Sequence, residues 1–225
     1  MSSPNITFER KLFAGVDVGL VNDWSTIAII ERVTARPQIE GLHHALHAQA
    51  REDAAAIPVR LDLRHLERIP LGTLYPEQVA MVQRILTDPR VEDVDTYMDM
   101  TGCGRPVYDM FKAARLPNLH GITITGSQGE AKRMPYGFNV GKAELVNRVQ
   151  VEMQTGRLRL GRRVQHVEKL VRELKEFRAK PTAAGHMTFN AREGQNDDLV
   201  LATSYAVFGA LRPRPMSNLD MRIAS

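Results

Sequence analysis

The chain has 225 residues, 43% of them hydrophobic and 25% charged, which is enough for one sizeable core and ordinary for a globular domain. A formal charge of +4 is compatible with a polyanionic partner but does not single one out. No apolar run approaches the roughly 18 residues of a membrane span, MSSPNITFERK lacks the apolar centre of a secretory signal, and Cys103, the one cysteine, excludes an internal disulfide and a cysteine-built zinc site and suits a reducing cytoplasm.

In chain order, LFAGVDVGL (12–20) and STIAIIERVT (25–34) are rich in Val, Ile and Thr and flank VNDW, so they read as an antiparallel hairpin. A polar stretch, 40–56, carries His43, His44 and His47 and reads as a loop or short helix, a solvated segment rather than a metal site. Alternation from Val59 to Leu63 predicts a third strand. YPEQVAMVQRILTD predicts a helix, with Pro76 near its start and Val79, Val82 and Leu86 on one face. VEDVDTYMDM predicts a fourth strand, TGCGRP a turn, VYDMFKAARL a helix and LHGITITG a fifth strand. Residues 126–141, with four glycines and a proline, form a long loop or hairpin, and helices follow at 142–155, 164–178 and 196–211. The last is apolar on nearly every side and therefore buried. The expected fold is α/β: a mixed five-stranded sheet, an antiparallel meander and then parallel strands, with helices on both faces. It occupies 1–211, and 212–225 is expected to be a flexible tail.

Acidic residues stand at the ends or middles of core elements. Asp17 lies among Phe, Ala, Val and Leu in the first strand, where an unpaired carboxylate is expensive. Asp99 ends the fourth strand; a turn role before TG is its simpler reading. Asp197 and Asp198 open the last helix, where N-terminal charge and an Asn196 cap would suffice to explain them. If strands one and four are neighbours and the last helix crosses their ends, these groups meet. Clustered carboxylates repel, and a hard cation such as Mg²⁺ or Mn²⁺ relieves them.

The segments GVDVGLVNDWSTIAII, RHLERIPLGTLYPEQV, MDMTGCGRPVYDMF, ITITG…NVGKAELVNRV and GQNDDLVLATSYAVF carry a resemblance that spans most of 12–211. In this order the chain resembles the nuclease domain of the large terminase subunit of tailed bacteriophages, within the RNase H-like (retroviral integrase) superfamily. The resemblance implies a metal-binding catalytic triad of Asp17, Asp99 and Asp198, with Asp23 and Asp197 as auxiliary ligands. It also implies two Mg²⁺ or Mn²⁺ ions, Asp17 bridging them, and hydrolysis of double-stranded DNA. By the same resemblance the partners are a packaging ATPase domain or chain, a portal and a small terminase subunit, in the host cytoplasm. Where the family often has His before the acidic pair, this chain has Asn196.

GFNVGK has three residues between its glycines and then Ala143, where a P-loop needs four and a Ser or Thr, so no ATPase is expected here. Lys132, Arg133 and Lys142 are expected to contact DNA phosphates, and Arg157, Arg159, Arg162 and Arg163 form a further basic run. Three other readings compete: a Holliday-junction resolvase using the same carboxylates, an actin or sugar-kinase ATPase fragment, and a catalytically dead DNA-binding module. The kinase fold needs a second half and a second phosphate loop that 225 residues cannot supply.

Overall fold

The computed structural model describes residues 6–19, 23–39, 42–43, 46–101, 104–126, 129–181, 187–190 and 197–212. The expected tail, apart from Arg212, lies outside these residues, as do His44, Cys103 and Asn196.

The strands are β1 (Ile6–Asp17), β2 (Ser25–Pro37), β3 (Arg60–Ile69), β4 (Val94–Asp99), β5 (Leu119–Thr125), β6 (Lys132–Met134), β7 (Gly137–Gly141), β8 (Leu158–Leu160), β9 (Arg178–Pro181) and β10 (Met187–Asn190). The helices are α1 (His47–Ala56), α2 (Tyr75–Leu86), α3 (Gly104–Ala113), α4 (Lys142–Gln154), α5 (Val167–Glu176) and α6 (Asp198–Leu211). One sheet of eight strands runs in the order β6-β7-β5-β4-β1-β2-β3-β8, and β9 pairs with β10 separately. The meander β1-β2-β3 is antiparallel, and β4, β5 and β7 extend it in parallel to β1.

The expected mixed sheet is present, with strands one and four adjacent, but it has eight strands rather than five. The extra ones are short. β6 and β7 are the hairpin within 126–141, and β8 is three residues inside the basic run GRLRLGRR, too short to show an alternation. β3 continues past Leu63 to Ile69 because of a bulge. His65 pairs with Ile29 and Leu63 with Ile30, so Arg64 is an extra residue. The bulge resets the alternation, and Leu61, Leu63 and Leu66 all face one core. Asp17 is the last residue of β1 rather than mid-strand, and it remains buried.

Two apolar layers cover the sheet. Val79, Val82, Val107 and Phe111 of α2 and α3 pack on one face; α4, α5 and α6 pack on the other, with α6 buried along almost its full length. That helix lies close to β1. A Cβ on Gly15 would stand 1.9 Å from the Ala202 carbonyl oxygen and 2.7 Å from the Ala206 nitrogen. Only a residue without a side chain lets the helix backbone approach this far.

Gly15→Val should therefore cost at least about 3 kcal/mol, the upper end for overpacking, because the clash is with backbone and not with a movable side chain. Gly126→Ala, whose Cβ would meet nothing within 4 Å, should be near neutral. Urea unfolding of both variants checks this; equal midpoints would show that α6 is free to shift.

Candidate functional site

Pairing of β1 with β4 sets Val16 beside Met98, so Asp17 and Asp99 leave adjacent strand ends at one level. Asp17 shares the face of Gly15, and Asp99 that of Tyr97, the face that α6 covers. The start of α6 adds Asp197 at its N-cap position and Asp198 as its first residue. Asp17, Asp99 and Asp198 are each less than a tenth exposed. The row continues across the sheet, because Asp17 pairs with Thr26 and Thr26 with Arg68.

Two cations are set into this acidic row. Arg68 donates from Nε to Asp198 Oδ2 at 2.7 Å and from Nη2 to Asp198 Oδ1 at 2.7 Å and to Glu173 Oε1 at 2.8 Å. Its guanidinium lies 5.3 Å from the Trp24 ring centroid. Thr26 Oγ1 donates to Asp198 Oδ2 at 2.6 Å. Lys142, the first residue of α4, places Nζ 2.7 Å from Asp197 Oδ2.

Proton affinities follow from burial and crowding. Asp17 is pushed well above the usual carboxylate range, first by burial and then by the charges of Asp99, Asp197 and Asp198, with Lys142 opposing. No described residue donates a hydrogen bond to it. Asp99 is also raised by burial, against hydrogen bonds from Thr101 and the charge of Lys142. Glu173 is raised from its ordinary 4.5 to about 8, by burial and then by Asp198, with Arg68 opposing. Its Oε2 is buried without a hydrogen-bond partner among the described residues.

The four carboxylates expected to meet therefore do lie together, at one end of the sheet, but their partners differ from expectation. Both oxygens of Asp198 are engaged by Arg68 and Thr26, so Asp198 is braced by protein donors, while Asp197 meets Lys142 among the described residues. Lys142, expected on DNA, is half-buried inside the acidic cluster. Lys132 and Arg133 lie exposed on β6, and Asp23 is exposed in the turn between β1 and β2. Among the described residues no three acidic or imidazole side chains already close around one point, with Asp197 turned to Lys142 and Asp198 to Arg68.

Thr26, Arg68 and Glu173 were not legible as site residues. Arg68 sits in RHLERIPL, where the alternation that would place it on the inner face is interrupted by the bulge at Arg64. Glu173 looks like any acid on an amphipathic helix; VEKLVRELKE gives no sign that this acid is buried.

The sheet order and the helices on both faces make this an RNase H-like α/β fold. Among solved structures, the large terminase nuclease from thermophilic phage G20c is similar in fold, with a TM-score of 0.58 and 18% identity over 88% of this chain and 81% of that one. The same nuclease with bound magnesium gives 0.58 and 18%, over 89% and 82% of the two chains. With bound cobalt it gives 0.57 and 19%, over 89% and 81%. The nuclease domain of the Thermus phage P74-26 large terminase gives 0.53 and 16%, over 88% and 78%. No family model and no curated protein matches the sequence. Among the described residues no helix is long and apolar enough to cross a membrane.

The Glu173 shift has a pH consequence. Between 4.5 and about 8 the folded chain holds a proton that the unfolded chain has released, so folding stability falls as pH rises through that window. The raised Asp17 acts in the same direction. In EDTA the wild type should be more stable near pH 5 than near pH 8, and Glu173→Gln should flatten the profile without abolishing the slope. An unchanged profile in that variant would mean Glu173 titrates normally.

Proposed function

We propose that the protein is a divalent-metal-dependent endonuclease that hydrolyses DNA phosphodiester bonds, as a terminase nuclease does in genome packaging. What carries this reading is the burial of Asp17 and Asp99 side by side with Asp197 and Asp198 above them, an arrangement with more negative charge than its two cations offset. Such a cluster favours a hard cation with oxygen ligands. The solved neighbours with bound magnesium and cobalt support the same chemistry.

Asp17, Asp99 and Asp197 would hold the metal, Mg²⁺ or Mn²⁺, in a site for up to two ions. Asp198, assigned to the triad by resemblance, would act one step back, its orientation held by Arg68, and Asp23 would serve as an auxiliary carboxylate. When bound, the ions supply an activated water at neutral pH and neutralise the leaving oxygen. The chain's own residues do the remaining work. Arg68 and Thr26 hold Asp198 in place, and burial against α6 keeps bulk water from screening Asp17 and Asp99. Lys142 balances part of the charge and sits beside the position a substrate phosphate would take. Lys132 and Arg133 on the exposed edge strand fit the phosphate backbone of duplex DNA. A packaging ATPase, portal and small subunit would be the partners if this chain works within a packaging motor in the host cytoplasm.

Plasmid cleavage with Mg²⁺, Mn²⁺ or EDTA tests the activity. Asp17→Asn should abolish cleavage and leave the fold as stable or more so, since a repelling buried charge is removed. It should also weaken Mn²⁺ binding measured by calorimetry. Wild-type cleavage rates and equal Mn²⁺ affinity in the variant would rule Asp17 out as a ligand.

Replacing Lys132 and Arg133 together with Ala should weaken duplex binding alike for all sequences. The log–log salt slope should shrink by about 0.9 for each phosphate that the variant no longer neutralises. An unchanged slope would return both residues to a merely solvated edge.

A further inference from the structure

The strand ends that carry the carboxylates have a second feature on the sheet's other face. Gly121 of β5 pairs directly with Gly137 of β7. The Met100 side chain takes the place a Cβ would occupy on Gly121, and beside the pair lies a hollow of about 300 Å³ walled by Met100, Thr123, Met134, Tyr136 and Asn139. That volume is at the lower limit for a small-ligand site, room for one flat ring system and little more.

Its rim combines exposed apolar and cationic groups. Met134 and Tyr136 remain 45% and 43% exposed at the β6–β7 turn. The Arg105 guanidinium stacks 3.7 Å from the Tyr136 ring centroid, and Lys112 Nζ lies 5.8 Å from it. Lys132 follows on the exposed edge strand. Among the described residues, the acid in contact with this group is Asp109, which is paired with Arg105. Thr123 and Asn139 bring a hydroxyl and an amide into the walls, giving both donors and acceptors. An aromatic platform, cations around it and an amide within reach together match a nucleotide: the base stacks, its edge hydrogen-bonds and its phosphates meet the cations.

Position ties the hollow to the carboxylates. Met100, in its wall, directly follows Asp99, and Asp99, Ile122 and Phe138 lie at one level across β4, β5 and β7. The acidic row and the hollow are thus near one level of the sheet, on its opposite faces. A strand crossing that level reaches both. A duplex, whose bases stay stacked inside, has no base to place in the hollow.

We propose that this hollow is a nucleobase subsite that takes one unpaired nucleotide, close along the strand to the phosphate presented to Asp17 and Asp99. The placement relative to cleavage rests on the nuclease reading; the binding of an unpaired base does not.

The test is fluorescence anisotropy in EDTA with a single-stranded oligonucleotide and with a blunt duplex of the same sequence. Tyr136→Ala should weaken single-strand binding by about 5- to 150-fold, the cost of one stacked base, and leave duplex binding within about twofold. Tyr136→Phe should bind like wild type, and thermal melts should show Tyr136→Ala folded, as its exposure implies. Equal losses on both substrates, unchanged single-strand affinity, or no single-strand binding by wild type would overturn the proposal. Should the wild type cut no DNA with any metal while the Tyr136 effect holds, the nuclease reading fails and the subsite stands. If the wild type cuts and Tyr136→Ala binds normally, only the subsite fails.

Discussion

The approach of α6 to β1 is the constraint on which the rest depends. Without a side chain at Gly15 the helix backbone comes into contact with the strand, and the N-terminus of α6 reaches the ends of β1 and β4. Asp197 and Asp198, remote in sequence from Asp17 and Asp99, become their neighbours through this one packing decision. Along its buried length the helix is mostly apolar, with Thr203, Ser204 and Tyr205 as its polar residues, and Ser204 turns its hydroxyl back to the Val200 carbonyl. Its core role and its role at the site are separated along its axis, apolar body below and two acids at the tip.

Those acids are not equivalent. Five carboxylates, Asp17, Asp99, Glu173, Asp197 and Asp198, share two cations, Arg68 and Lys142. Arg68 spans Asp198 and Glu173 through a planar fork that fits Asp198 bidentately, whereas Lys142 meets Asp197 as a point charge on a flexible stem. The first contact is buried and rigid, the second half-exposed and easily replaced. Near neutral pH, Glu173 with its raised affinity keeps a proton and adds little negative charge beside Arg68, while still accepting its hydrogen bond. What is left is a deficit of positive charge centred on Asp17, whose carboxylate no described residue satisfies. That deficit has a direction: it lies toward the sheet's end, where Lys142 stands.

How much of this was legible follows from where local pattern and tertiary structure agree. The β1–β2 hairpin and the α6 helix were readable because β-branched runs and an unbroken apolar stretch keep their meaning in any context. The neighbourhood of β1 and β4, and with it the meeting of Asp17, Asp99, Asp197 and Asp198, was inferred from strand order and is present. The bulge at Arg64 hid the second half of β3. Alternation read through an inserted residue points Arg68 to the wrong face, so the residue that braces Asp198 looked like a surface arginine. Strands of three residues, such as β6 and β8, are too short to carry a period and exist because a neighbour supplies their hydrogen bonds. The contact of Lys142 with Asp197 was hidden for a related reason. β7 ends at Gly141 and α4 begins at the next residue, so no loop carries the lysine outward.

The carboxyl ends of parallel strands are where open α/β sheets commonly bind ligands, because connections leave there in different directions and open a crevice. Here β4 runs into α3 on one face and β7 runs into α4 on the other. On the α6 side the groups at this level are buried acids, which attract cations. On the α3 side an arginine-stacked tyrosine borders a small, cation-rimmed hollow. A single-sign surface at the sheet end would repel a phosphodiester on the acidic side or trap it on the basic side. For the nuclease proposed above, opposite signs on the two faces would let a polyanion be held while one of its phosphates is brought to the carboxylates, with the thickness of one sheet between the two.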